Sequence, residues 1–404
     1  MTMVPFSELQ CRWQSCRALL HEQFSDAGGI LVFSRLNIYY LTGTFGNGLF
    51  WLPMEGSPVL LCRRGLERAR LESPVETIVP FRSYREIIEI LKNAGSPLAE
   101  TVGVEMNALS WTLGMKLKED LPDRHFVRAD MVLSMTRSVK SAWELDKIRQ
   151  AGAKHDKCLR QLLPELLSEG MTETQVAHAV WKVFFSEQHQ GLLRMEKYGE
   201  EVFLGHISVG ESANYPSVYN GPVGLRGVSP AVPHMGSQQI SWEQGAPLVC
   251  DVGFMLDGYQ TDKTQVYWLG REDSIPSMVR KAQDFCIDVQ DWLARNLKPG
   301  AIPAELWEHC SAWAKKAGWS EGYMALGGNK VDFVGHGIGL AIDEFPVLAK
   351  GFDHPLKEGM VLALEPKIGI RGIGMAGVEN TFEVTPEGGK SLTGEQYDIV
   401  CIPG

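Results

Sequence analysis

The chain has 404 residues, more than a single typical core accommodates, so two domains are expected. Its 44% hydrophobic and 22% charged residues are ordinary globular values, and no apolar run approaches the roughly eighteen residues of a bilayer span. A net charge of -10 without any Lys/Arg cluster excludes a nucleic-acid binder, whose phosphate partner demands a basic face.

The N-terminal stretch MTMVPFSELQCRW has no basic segment leading into an apolar core and a small-residue cleavage site, which points to the cytoplasm. The eight cysteines form no C-x-x-C, and several sit in apolar runs such as LVCDVG, so they read as reduced, buried thiols. From 29 to 134 short apolar runs are split by turn residues: GGILVFS, NIYYLTG, GLFWLP, GSPVLLC, ETIVPF and TVGVEM. Helical stretches fall between them, for instance Ser83–Asn93, where Ile87, Ile88 and Leu91 are expected to share one face. This first domain, 1–138, reads as α/β.

The texture changes in the second domain, 139–404. Capping boxes at Ser141-x-x-Glu144 and Thr172-x-x-Gln175 open two long helices, and two more are expected at about 276–297 and 303–317. Strand-like runs follow in APLVCDVGFML, TQVYWLG, GMVLALE and GVENTFEVT, while 190–232, rich in Gly, Ser, Pro and Asn, reads as a long excursion.

Asp257-Gly258 between two apolar runs predicts a two-residue type I′ hairpin. Cross-strand partners then sum to 515, which sets Asp262 opposite Gly253 and on the same face as Asp251. Two carboxylates in one space raise each other's pKa unless a cation lies between them. Glu365, at the end of GMVLALEP, and Glu379, across the connection RGIGMAG, form a second such pair. His336, set among glycines in GHGIG, adds an imidazole that the bare backbone would let turn sharply toward the acids. Four carboxylates and one imidazole suit a pair of manganese, cobalt, iron or zinc ions, with manganese favoured, roughly 3.5–4 Å apart as in two-metal hydrolysis. Asp257 is assigned to the turn alone.

With these residues the sequence resembles the pita-bread metallohydrolases: aminopeptidase P, prolidase, methionine aminopeptidase and creatinase. Asp251, Asp262, His336, Glu365 and Glu379 match that family's metal ligands, and His234, seventeen residues ahead of Asp251, matches its histidine of that spacing. The stretches NIYYLTGTFGNGLFWLP and GSPVLLCRRGLERA resemble the creatinase and prolidase N-terminal domain. The resemblance implies an α+β chain, an α/β domain followed by a pita-bread domain, assembled as a homodimer and acting on a dipeptide or other small molecule. It implies that Asp262 and Glu379 bridge two ions, that Asp251 holds one, and that His336 with Glu365 holds the other. Glu365 would take the proton of the attacking water and His234 would donate toward the oxyanion. No residue is assigned to an organic cofactor.

Three positions depart from the peptidases. Asp343 stands where they carry a second histidine, Gly377 where they often carry arginine, and Asp262-Lys263-Thr264-Gln265 replaces their D-x-T-R. The alternatives are therefore a creatinase-like hydrolase, or a lyase of the dimethylsulfoniopropionate type with Asp343 as base. A non-catalytic binder is opposed by the complete ligand set.

Overall fold

In the computed structural model, which describes residues 3–197 and 201–403, the chain divides into two units, Met1–Arg137 and Ser138–Gly404. The first is built on strands β1 (Gly29–Val32), β2 (Asn47–Pro53), β3 (Val59–Arg64), β4 (Thr77–Pro80), β5 (Thr101–Val104) and β6 (His125–Arg128). They form one sheet in the order β4-β3-β2-β1-β5-β6, antiparallel at β1/β2 and β2/β3 and parallel elsewhere. Leu31, Trp51, Leu61 and Val102 from the strands pack with Ile87 and Leu91 from the Ile87–Asn93 helix.

Two expectations are corrected here. NIYYLTG lies in a helix, Arg35–Thr42, because Ser34 accepts from Asn37 N at its start and Gly43, at φ +78°, ends it. Ile38 and Leu41, three apart, are both fully buried, so the helical period prevails over the β propensity of the run. Ile88 is 38% exposed while Ile87 and Leu91 are buried, since four residues, not one, separate side chains stacked on a helix face. The Phe6–Gln23 helix, which buries Leu9, Trp13, Cys16 and Leu20, was not anticipated from the sequence.

In the second unit both capping boxes form, opening the Ala142–Lys157 and Glu173–Ser186 helices. Each such cap is worth about 1 kcal/mol. Helices Ser277–Asn296 and Pro303–Lys316 follow as expected. The described residues of this unit form the strands β7 (Leu193–Arg194), β8 (Glu201–Val202), β9 (Gly205–Val209), β10 (Leu248–Leu256), β11 (Tyr259–Leu269), β12 (Phe333–Gly337), β13 (Glu344–Ala349), β14 (Val361–Leu364), β15 (Lys367–Ile370), β16 (Gly374–Gly377), β17 (Asn380–Thr385), β18 (Gly388–Ser391) and β19 (Val400–Ile402). One sheet runs β19-β11-β10-β9 and another β13-β12-β14-β17-β18, with β15-β16 and β7-β8 as separate pairs. The 190–232 excursion thus contributes β9 to a main sheet, with His206 to Val209 buried where a loop was expected.

Each sheet has its own apolar packing. Phe254, Tyr267 and Trp242 pack with Val180 and Phe184 of the Glu173–Ser186 helix, whereas Leu348, Leu362 and Phe382 pack with Val279, Cys286 and Leu293 of the Ser277–Asn296 helix. The space where the two sheets meet is where the acids gather.

Candidate metal centre

Asp257 and Gly258 adopt φ of +50° and +85°, the positive values a type I′ turn demands, and fix the β10–β11 register. Gly253 pairs with Asp262 and Asp251 with Thr264, so both acids rise from one face as the arithmetic required. Asp257 does more than turn: its Oδ2 accepts from Lys147 Nζ at 2.8 Å.

Glu365 and Glu379 meet by a shorter route than the expected long hairpin. β14 and β17 pair directly, with Leu364 opposite Asn380, so the two glutamates flank adjacent strand ends while β15 and β16 fold out as a hairpin of their own. His336 lies on β12, opposite Ala363 of β14 and Val347 of β13, and is therefore a strand residue, not the loop residue expected. Its flanking glycines do not turn the chain. A Cβ at Gly335 would lie 2.5 Å from Ala363 O, and one at Gly337 would lie 2.5 Å from Phe345 O, so the bare backbone lets neighbouring strands close in.

Thr264 ties the two sheets together. Its N–H donates to Glu379 O at 3.1 Å, and its hydroxyl lies against both Asp251 Oδ1 and Glu379 Oε2. All five expected ligands thereby converge, buried or nearly so.

His336 Nδ1 lies 3.0 Å from Gly337 O. A carbonyl only accepts, so Nδ1 carries the hydrogen and Nε2 offers a lone pair when the ring is neutral. Nε2 is 3.5 Å from Glu365 Oε1 and 3.6 Å from Glu379 Oε1. Glu379 Oε1 is fully buried without a hydrogen-bond partner, and Asp262, His336 and Glu379 place one donor atom each within 4.8 Å of one another. An orphaned buried carboxylate oxygen facing an imidazole nitrogen is what a divalent cation would satisfy, so these residues fit an ion.

Acids outnumber the cations Lys367 and His336 in this buried space. Burial, then Glu379, raises Asp262 to about 8 and Glu365 to about 7, and burial raises Asp251 well above the carboxylate range. Burial alone would lower His336, but the close Glu379 carboxylate and the charges of Glu365 and Asp262 raise it to about 10. Burial would raise Glu379 too, yet the Lys367 charge and then the close His336 and Asp251 side chains hold it below the usual carboxylate range.

Two residues here escaped the sequence reading. Lys367, fully buried, has Nζ 2.6 Å from Glu379 Oε2, 3.2 Å from Glu365 Oε2 and 3.4 Å from Asp251 Oδ1. A lysine two residues from one candidate ligand in an otherwise apolar strand was the signal available. His206, directly opposite Asp251 on β9, is buried, has Nε2 3.1 Å from Ser217 Oγ, and is pushed down to about 4 by burial and then by Lys367.

The remaining candidates lie around this cluster. His234 is half-buried, within electrostatic reach of His206, and lines a cavity of ≈ 400 Å³ with Leu192, Phe203 and Met235. Asp343 directly precedes Glu344, which pairs with Gly337 beside His336, so the chain does return to the site there. Its Oδ1 accepts from Glu196 N at 2.6 Å, and burial raises it. Glu344, the acid beside it, is structural: it pairs with Lys140 and accepts from Leu340 N and Ala341 N.

Residues 146–386 match Metallopeptidase family M24, and residues 12–139 match the Creatinase/Prolidase N-terminal domain. The chain belongs to metallopeptidase family M24. This M24 chain is 26% identical to a Xaa-Pro dipeptidase of Pyrococcus furiosus, over 92% of its own length and 94% of the relative's. Its fold is that of the dipeptidase PepE from Mycobacterium ulcerans (TM-score 0.79, 23% identity, 100% of both chains). The prolidase from Pyrococcus horikoshii OT3 superposes with a TM-score of 0.76 at 21% identity, over 96% of this chain and 99% of that one. The α+β architecture, a creatinase-type domain before a pita-bread domain, and the assignment to the metal-dependent hydrolases follow from the family. Among the described residues, no helix is long and apolar enough to cross a membrane.

Proposed function

We propose that this M24 chain is a metal-dependent hydrolase of the X-Pro dipeptidase type, cleaving an amide or related C–N bond in a dipeptide or similar small substrate. The observation that carries the reading is the unpartnered, buried Glu379 Oε1 held between Asp262 and His336. The family match and the dipeptidase names of its relatives support it. Carboxylates with one imidazole and no thiolate favour manganese among the divalent ions. Five donors would serve two such ions only with Lys367 withdrawn from its three carboxylates.

A bound divalent ion supplies Lewis acidity, polarising the scissile carbonyl and easing deprotonation of the attacking water. Glu365, whose Oε1 faces His336 Nε2 at 3.5 Å inside the cluster, is the base for that proton. His234, within electrostatic reach of the buried His206, would donate to the developing oxyanion, and His206, opposite Asp251, would help to orient the substrate. The lyase alternative is less well supported, because the Asp343 carboxylate already accepts a backbone hydrogen bond from Glu196.

We place the protein in the cytoplasm as a homodimer. All eight cysteines are free, which suits a reducing compartment, and light scattering at micromolar concentration would detect a monomer if the dimer reading is wrong. The function is tested with purified, manganese-loaded protein on X-Pro dipeptides, N-acyl amino acids, creatine and a sulfonium compound. Hydrolysis of at least one amide substrate, lost together with bound metal in a folded Glu379→Gln variant, is the expected result. Retention of metal and full turnover by that variant would refute the assignment.

A further inference from the structure

Among the described residues, Lys367 is the cation that sits inside the acid cluster. Its Nζ has three hydrogens and three carboxylate partners, Asp251, Glu365 and Glu379, drawn from two different sheets. Glu365 and Glu379 each divide their oxygens. The Oε2 atoms face Lys367 at 3.2 and 2.6 Å, and the Oε1 atoms face His336 Nε2 at 3.5 and 3.6 Å. The cluster thus has two cation positions, one filled by an ammonium and the other bounded by Asp262, His336 and the Oε1 pair.

The neighbouring strand is shaped for this lysine. Gly377 pairs with Lys367 across the β15–β16 hairpin at φ +145°. A Cβ there would lie 2.5 Å from Pro366 O, 2.7 Å from Lys367 Cα and 3.0 Å from Lys367 Cγ, so a larger residue would press on the hairpin backbone and on the base of the lysine stem. The lysine side chain is fully buried.

We propose that Lys367 serves as a built-in second cation, so that the centre takes one divalent ion, at Asp262, His336 and the Oε1 atoms of Glu365 and Glu379. Asp251, in this arrangement, orients Lys367 and Thr264 in place of binding an ion. Lys367 is a positioning residue that keeps two shared carboxylates aimed at the single ion. The inference rests on the metallohydrolase reading above and replaces its two-ion expectation.

The test is metal stoichiometry, independent of turnover. Native protein loaded with Mn2+, freed of loose metal by gel filtration, is measured by elemental analysis and by electron paramagnetic resonance. About one ion per chain is expected, with the hyperfine pattern of isolated Mn2+. Lys367→Ala vacates the second position and is expected to approach two ions per chain with an exchange-coupled signal, whereas Lys367→Met, which keeps the stem, is expected to hold no more than one. Two tightly held, exchange-coupled ions in the native protein would overturn the inference and leave the hydrolase reading standing. No tightly held ion in folded native protein would overturn both. The native measurement decides the question even if neither variant folds.

Discussion

Lys140→Met tests how firmly the loop after His336 is built. Lys140 Nζ and Glu344 Oε2 are 3.1 Å apart, and both side chains are 1% exposed. Lys140 also donates to Ser138 O, and Glu344 Oε1 accepts from Leu340 N and Ala341 N, so the carboxylate organises the turn that leads from the metal histidine toward Asp343. Methionine keeps the length of the stem and removes the charge. Breaking a buried pair from one side typically costs about 3–5 kcal/mol, because the surviving charge stays buried. Glu344 retains two amide donors, which places the expected loss at the lower end, about 3 kcal/mol. For a unit of this size that corresponds to a fall of roughly 6–12 °C in Tm. Glu344→Gln keeps an acceptor for the two amides and strands Lys140 instead, so it should also destabilise. The Lys140→Met, Glu344→Gln double variant leaves no unpaired charge and should lose less than the sum of the two, by a coupling of about 2 kcal/mol. Thermal unfolding of the metal-loaded protein reads all three. A loss below about 1 kcal/mol in Lys140→Met, or strict additivity in the double variant, would show that the pair is not what holds the loop.

The metal-free protein should lose stability as pH rises from 6 to 8.5: Glu365 and Asp262, raised to about 7 and 8, and His336, raised to about 10, all bind protons more tightly folded than unfolded, so their contribution fades as they deprotonate. Added Mn2+ displaces those protons, and its gain in Tm should therefore grow across the same window; a gain independent of pH would contradict the charge arrangement. Asp343→His should raise kcat/KM on X-Pro dipeptides at least about tenfold, roughly 1.4 kcal/mol, by removing an anion that opposes the substrate carboxylate; efficient cleavage by the natural protein that is unaltered in Asp343→Ala would confine this acid to its loop. Gly337→Ala would bring a Cβ to 2.5 Å from Phe345 O and 2.7 Å from Glu344 O, so β12 and β13 must separate. A cost of about 1–3 kcal/mol, with weakened metal retention at the adjacent His336, is expected from denaturation and elemental analysis, and an unchanged variant would mean the strands yield freely.

Much of the centre could be read from short-range rules. The Asp257-Gly258 turn has one dominant geometry, which fixed the partners of Asp251 and Asp262 before any tertiary information. Glu365 beside a proline and Glu379 in a strand were recognisable as misplaced for solvated acids. What failed depended on neighbours distant in sequence. The glycines around His336 answer to the carbonyls of Ala363 and Phe345, which no local pattern reveals. His206 enters the site only because β9 pairs with β10, and the sequence around it resembled a loop. Lys367 stands two residues from Glu365, but Asp251 and Glu379 close around it only through the tertiary fold. NIYYLTG failed for a different reason: its residues favour strands, while the Ser34 cap and Gly43 terminator, both present in the sequence, favour a helix.

The threonine stitch between β11 and Glu379 has a consequence for how the catalytic unit could be divided. The exposed segment from Arg271 to Ser274 separates a fragment carrying Asp251, Asp262 and the packing of Phe254 and Tyr267 from one carrying His336, Glu365, Glu379 and the packing of Leu362 and Phe382. Neither piece holds a complete ligand set, yet each owns an apolar interior, and the later piece returns β19 to lie parallel beside β11 of the earlier one. A chain nicked in that segment should stay assembled through this exchanged strand and the Thr264 bridge. Capture of metal would then report the joining of the two fragments, because the ion's donors exist together only in the union.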